Sequence, residues 1–218
     1  MARAGAEPSG ELRIVAPTNF GLTMIGPAIS EFLLAYRDIS VDLSLNDQLI
    51  DPIDGGYDIA IRVIVSQLPD TSSLRAARLT TSRRILCAAP EYLSRRGLPK
   101  RPEDLADHEC LSYSYFDDPR LWRLEGADGA HVVRVSGRIV TSAGQVLRTA
   151  AARGLGIASG PTVFFREELD SGAVVRVLPD GELPQATIYA LYPVSRRPPP
   201  KVAAFNAFMQ KFLAGRFR

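Results

Sequence analysis

Apolar positions along the chain recur in two periods, and their order predicts the elements. The run "ELRIVA" from Glu11 is apolar and reads as a strand. Leu22, Ile25, Ile29, Phe32, Leu33 and Tyr36 then recur at spacings of three and four, which predicts one apolar face of a helix. Pro27 lacks a backbone donor, so this helix either starts late or has a disturbed first turn. Ile39, Val41, Leu43 and Leu45 alternate with polar residues, as in a strand with one solvated face. A short helical segment interrupted by Pro52 leads through Gly55-Gly56 to the strand "YDIAIRV", and "RRILCAAP" is a fourth strand. Strand, helix, strand, helix, strand predicts a parallel α/β sheet.

The order repeats more loosely downstream. "PEYLSRRG" and "PEDLADH" are short helices with Pro near the start. "CLSYSY", "LWRLEG" and "HVVRVSGRIV" are strand-like. A helix from Gln145 to Arg153 ends at Gly154, placed as its C′ residue. "LGIASGP" is a short buried strand, "TVFFREELDSG" a helix closed by Gly172, and "AVVRVLP" and "IYALYPV" are strands. Val202, Phe205, Met209, Phe212 and Leu213 share one face of a final docking helix. Two α/β halves follow from this pattern.

A sequence echo links the halves. "RIVAPTNFG" (Arg13 to Gly21) and "RIVTSAG" (Arg138 to Gly144) each pass from a strand through small polar residues into a helix. In the second, Ser142 and Gln145 fit a capping box, and Gly144 leaves room for a ligand. In the first, Thr18 or Asn19 is the cap. Taken singly, each turn is an ordinary cap worth roughly 1 kcal/mol. Taken together, two helix starts with unpaired N–H groups at strand ends point to an anion site. Phe20 is either a stacking surface for a ligand or a core residue. Arg62, at the end of "IAIRV", is either a bidentate donor for a carboxylate or a surface residue lying over Tyr57 or Leu68.

Composition narrows the classes. Hydrophobic residues make up 46% of 218, enough for a buried core and against global disorder. With 26 basic and 24 acidic residues the chain lacks the basic footprint of a nucleic-acid-binding domain. The doublets Arg83-Arg84, Arg95-Arg96 and Arg196-Arg197 read as solvated surface. Neither the count nor the spacing of the two cysteines suggests a disulfide framework or a zinc site, and Cys87 reads as a buried strand residue. Residues 1–10 read as a linker without the apolar region of a secretory signal, and no run is long enough to span a bilayer, so a cytoplasmic location is expected. His108 and His131 read as surface residues. No nucleophile elbow, metalloprotease motif or P-loop is present, and "GLGIASG" has Ser159 where a dinucleotide fingerprint has its third glycine. No catalytic residue, metal or cofactor is expected.

Seven segments in order, "GELRIVAPTNFG", "YDIAIRV", "LTTSRRILCAAPEYL", "RPEDLADHECLSYS", "GRIVTSAGQVLRTAAARGLGIASGP", "LDSGAVVRVLP" and "IYALYPVSRRPPPKVAAFNAFMQKFL", resemble the effector-binding domain of LysR-type transcriptional regulators. The resemblance covers Gly10 to Leu213. It implies an α/β fold of two Rossmann-like subdomains with a central cleft, similar to periplasmic binding proteins of type 2. Residues 11–88 with 187–218 would form the first subdomain and 89–186 the second. It implies a small-molecule effector, an organic anion or aromatic acid, held by Thr18, Asn19, Phe20, Arg62 and Val63 on one side. Thr141, Ser142, Gly144, Gly160 and Pro161 would lie on the other. It further implies a homodimer, in which the helix around Ile29–Tyr36 and the strand Ile39–Leu45 face the partner, and a tetramer of the full-length protein. DNA would be bound only through an N-terminal winged helix-turn-helix outside this chain, and no membrane is involved. Ile64 and Val65 stand where the family usually has a glycine after the Ile-Arg pair. The alternative on the same architecture is a periplasmic solute-binding protein of a transporter. An enzyme on this fold would need a placed base or nucleophile.

Overall fold

In the computed structural model, which describes residues 7–48, 51–65, 72–126, 129–179, 183–194 and 198–217, the first strand β1 is Gly10–Ala16. Its Leu12, Ile14, Val15 and Ala16 are fully buried. Helix α1 (Thr18–Phe20) runs through a π turn (Gly21–Ile25) into α2 (Gly26–Ala35). Pro27 cannot donate to the helical ladder, and the wider turn before it, closed by Gly26 N–H to Gly21 O, is the disturbed start that Pro27 predicts. The widened turn also rotates the residues before it. Met24, Ile25, Ala28 and Phe32 are buried, whereas Leu22, expected on the core face, is 64% exposed.

Strand β2 (Ile39–Leu45) pairs parallel with β1 along its whole length. Only Ile39 in it is buried, as suits an outer strand. The helical segment expected around Pro52 is instead a series of turns, with Tyr57 N–H donating to Pro52 O at 2.8 Å. Gly56 there has φ +65°, a left-handed conformation that costs glycine little. Strand β3 (Ile59–Ile64) pairs parallel with β1 on its other side.

Beyond it follow β4 (Leu74–Ala88), α3 (Pro90–Arg96), a 3-10 turn (Pro102–Asp107), β5 (Cys110–Tyr113), and the hairpin of β6 (Leu121–Gly126) and β7 (Gly129–Arg134). Then come β8 (Val140–Thr141), α4 (Gly144–Ala152), β9 (Ile157–Pro161), and a 3-10 turn (Thr162–Phe165) running into α5 (Arg166–Asp170). The chain closes with β10 (Val175–Val177), β11 (Leu183–Pro193) and α6 (Pro200–Ala214). Gly154 and Gly172 both take positive φ just past the helices they were expected to end.

The chain divides into two compact units, residues 1–81 with 187–218, and residues 82–186. The first change of unit falls inside β4, between Thr81 and Ser82, rather than after Ala88, because one unbroken strand serves both units. The second falls between Ala186 and Thr187, inside β11. In unit 1, β2 and β3 flank β1 in parallel and β11 runs antiparallel beside β3. In unit 2, β8 and β9 flank β5 in parallel and β4 runs antiparallel beside β9, with β10 on its other side. Each unit therefore places its first parallel strand in the centre, the second outside it, the third on the other side, and an antiparallel strand next.

The predicted face of α6 is buried at Val202, Phe205, Met209, Phe212 and Leu213, and Phe205 meets Phe32 edge to face at 5.3 Å. Unit 2 has one apolar cluster around Leu86, Leu105, Trp122 and Ile157 and another around Leu111, Leu147, Ala158 and Phe165. Cys87 is buried as expected, and so is Cys110; burial pushes both thiols up to about 12, which makes them inert.

Two surface expectations are overturned. His108 is buried, with Nδ1 3.1 Å from the Tyr92 hydroxyl, and that hydroxyl also accepts the Glu109 N–H at 2.8 Å. Burial, then the charge of Arg96, lowers the His108 pKa, against smaller opposing effects of Asp104 and Asp107. In the first Arg doublet, Arg83 is exposed but Arg84 is partly buried. His131 keeps an accessible setting and pairs with Glu103 at 2.7 Å. Arg196 and Arg197 lie outside the described residues. Among the described residues no helix is long and apolar enough to cross a membrane.

Candidate ligand-binding site

In unit 1 the carboxyl ends of β1 and β3 lie side by side, because Ile14 pairs with Ile59 and Val15 with Ala60 in parallel register. Two residues further on, this register brings the turn before Thr18 level with Arg62. Thr18 and Asn19 are half-buried, and Phe20 is buried with its ring 6.4 Å from that of Phe217. Phe20 is therefore a core residue. Arg62 is buried, which excludes the surface alternative, and its Nη1 donates to the Ile61 carbonyl at 3.2 Å. Burial lowers its pKa, and the Asp51 carboxylate works against that shift. Val63, next in the strand, points away and is 38% exposed.

In unit 2 three carboxyl ends are level. Tyr113 of β5 pairs with Thr141 of β8, and Leu111 pairs with Ala158 of β9, so Gly160 lies beside Tyr113. Ser142 is exposed and Thr141 half-buried. Gly160 is buried, and a Cβ there would stand 2.9 Å from the Phe165 ring; Pro161 pairs with Arg84 of β4. The residues proposed from sequence thus gather as two groups, each at the carboxyl ends of its own unit's parallel strands.

The capping expected at both turns is not what the structure contains. The N-cap of α4 is Ala143, with no side-chain cap; Thr141 Oγ1 accepts the Ala143 N–H at 3.1 Å, and Ser142 and Gln145 form no capping box. The N-cap of α1 is Pro17, and neither Thr18 nor Asn19 caps it. Asp47, just past β2, accepts the Thr18 N–H at 2.7 Å instead. The cap arrives from a neighbouring strand because Asn46 N–H bonds Ala16 O at 2.9 Å and carries Asp47 over the helix start. Local spacing cannot reveal such a partner.

Tyr113 and Tyr115 belong to the same edge of unit 2. Their rings stack at 5.1 Å, and Tyr113 stands between Thr141 and Gly160. The signal was present: two tyrosines at i and i+2 in "CLSYSY" share one face of a strand at its carboxyl end. The chemistry assembled is two sets of hydroxyls and backbone donors, an aromatic pair in unit 2, and a buried guanidinium in unit 1.

Comparison with known proteins identifies the family. Residues 5–214 match the model of the LysR substrate binding domain family. The HTH-type transcriptional regulator DmlR of Escherichia coli is 31% identical over 208 residues, covering 95% of this chain and 66% of that protein. The full-length Vibrio cholerae virulence activator AphB, a solved member of the LTTR family, is 34% identical with a TM-score of 0.81, over 94% of this chain and 69% of that one. The regulatory domain of CrgA from Neisseria meningitidis, a LysR-type transcriptional regulator, is 26% identical with a TM-score of 0.80, over 94% of this chain and 98% of that domain. The chain spans just under two thirds of the curated relative's length. The fold is the periplasmic-binding-protein-like α/β fold of type 2, and the chain belongs to the LysR substrate binding domain family.

Proposed function

We propose that this chain is the effector-sensing part of a cytoplasmic transcriptional regulator, and that its ligand is a small organic anion. Thr18, Asn19 and Arg62 of unit 1, with Val63 through its backbone, and Thr141, Ser142, Gly144, Gly160 and Pro161 of unit 2 contact the effector, with Tyr113 as an aromatic wall and Phe20 supporting from the core. The observation that carries this reading is that both groups stand at the carboxyl ends of parallel strands, where open α/β sheets bind ligands. Buried Arg62 supplies a fork for a carboxylate. The role is binding, not catalysis, and DNA is contacted only through another part of the protein.

The effector acts by favouring one arrangement of an oligomer over another, which requires unequal affinity for the two. A homodimer is the unit proposed here, and a tetramer for the full-length protein. Leu34 on α2, 80% exposed, and the half-buried outer strand β2 supply apolar surface for it. Light scattering of a monomer at about 50 micromolar would reject the dimer, since weak interfaces are already populated in that range.

A thermal-shift screen of small carboxylates and aromatic acids tests the effector reading. A true effector at a hundred times its Kd adds about 2.7 kcal/mol of stability. Arg62→Gln should abolish most of that gain for a carboxylate. A hit whose gain survives both Arg62→Gln and Ser142→Ala would place the effector elsewhere.

A further inference from the structure

Two helix starts follow the strand ends that carry the unit 2 residues of the proposed effector site. Helix α4 begins at Gly144, just past Ser142, and the 3-10 turn Thr162–Phe165 begins directly after Gly160 and Pro161. The sheet alone holds these ends loosely. Strand β8 is two residues long and pairs with β5 only through Val140 and Thr141. Helix α5, which continues the 3-10 turn, buries none of its five residues.

Arg148, in the second turn of α4, ties the two starts together. Its Nη1 donates to the Phe164 carbonyl at 3.3 Å, and its Nε lies 3.2 Å from Oε1 of Glu168 on α5. Glu167 is further off, at 4.0 Å. The Arg148 and Glu168 side chains are 23% and 17% exposed, so water and salt screen the pair little. The residues next to this clamp in sequence reach the core. Leu147 and Phe165 are buried in one apolar cluster, against which Tyr113 packs. The Phe165 ring in turn lies over Gly160, where a Cβ would stand 2.9 Å from it. One side chain thereby joins the start of α4 to the ring that backs Gly160.

The energetics point the same way. Arg148 Nε and Glu168 Oε2 are enclosed without a hydrogen bond among the described residues. An enclosed pair so incompletely satisfied adds little net stability, and apolar side chains of similar size replace such pairs with little loss. What the pair supplies is fixed geometry, because the guanidinium is planar and its donors are rigidly placed. We infer that Arg148, held by Glu168, is a positioning residue of unit 2's share of the effector site: it sets the spacing between the Thr141–Gly144 turn and Gly160. The inference rests on the effector reading above, yet the clamp is measurable without an effector.

The test is fluorine NMR of the 218-residue chain labelled with 3-fluorotyrosine, the Tyr113 signal being assigned by Tyr113→Phe. In the double variant Arg148→Met with Glu168→Leu, the Tyr113 signal should move by more than its linewidth. The signal of Tyr92, which belongs to the other apolar cluster of unit 2, should stay in place. The urea midpoint should remain close to the parent's, because neither partner of the pair is left charged and alone. Lower stability by itself leaves the signals of the folded chain where they were, so the shift separates positioning from packing. Glu168→Gln, which keeps the shape and the bond to Phe164, should shift Tyr113 less and in the same direction; it decides the matter if the double variant does not fold. An unmoved Tyr113 signal in a folded variant, or equal movement of Tyr92, would overturn the inference. Failure of every carboxylate in the thermal-shift screen would reject the effector reading instead, and would leave the Tyr113 result standing.

Discussion

Arg13-Ile14-Val15 lies in the central strand of unit 1, where Ile14 and Val15 are fully buried. Arg138-Ile139-Val140 leads into an outer strand of unit 2 only two residues long, where Val140 is 43% exposed. The two units share one strand order, yet the echoed segments occupy different places in it. The first leaves strand one of its unit and the second leaves strand two. Their helix starts differ accordingly. The first is closed by Asp47 from the neighbouring strand and anchored by Phe20, whereas the second has no side-chain cap. Place in the sheet, not local sequence, decides whether such a turn is built into the core or left open to a ligand. The open start of α4 keeps its N–H groups and partial positive charge available for an anion.

The largest effect should separate the turns by stability. Phe20→Ala should cost about 3–5 kcal/mol in urea denaturation, because it empties a buried ring site. Ser142→Ala in the exposed turn should stay within about 0.5 kcal/mol. Equal losses would break the comparison. Asp47→Ala comes next, removing the acceptor over Thr18 at a cost of about 0.5–2 kcal/mol measured the same way. A smaller cost would mean water replaces the carboxylate and both helix starts are equally open. The third outcome is in affinity: Ser142→Ala should weaken effector binding by roughly 1 kcal/mol if it leaves a ligand acceptor unpaired, with stability held. Calorimetry with the identified effector reads it, and unchanged affinity would reduce Ser142 to plain surface.

The smallest effect concerns pH and belongs to unit 2. The His108 pKa is lowered in the folded chain, so the fold favours the neutral ring. Its contribution to stability is fully present above the unfolded value of about 6.5 and is lost as pH falls through that value toward the lower folded one. Unfolding free energies from about pH 8 to 5 should therefore fall more steeply in the parent chain than in His108→Asn. Identical slopes would show that other groups carry the dependence.

Much of the fold was legible because periodicity is local. The alternation in β2, the apolar run of β1 and the face of α6 each follow from a segment's own residues, since a side chain's direction depends only on its place in a strand or helix. Pro27 announced a fault in the first helix, but the π turn and the exposure of Leu22 depended on how that helix packs. For the site, the placement of Thr18, Arg62, Thr141 and Gly160 at strand ends was legible, because a strand followed by a turn places its last residues at a sheet edge.

The sequence by itself determined most of the element types, the two α/β halves and the family. Tertiary structure decided the strand order, and with it the inequality of the echoed turns. It set Asp47 over Thr18 across 29 residues, paired partly buried Arg84 with Ser159 across 75, and placed His108 against Tyr92. Such partners meet only after distant strands have registered, and nothing in either residue's neighbourhood encodes which strand that will be. Burial works the same way. A polar residue on a short strand is solvated or enclosed according to what packs over it, and that is fixed by chain closure rather than by local pattern.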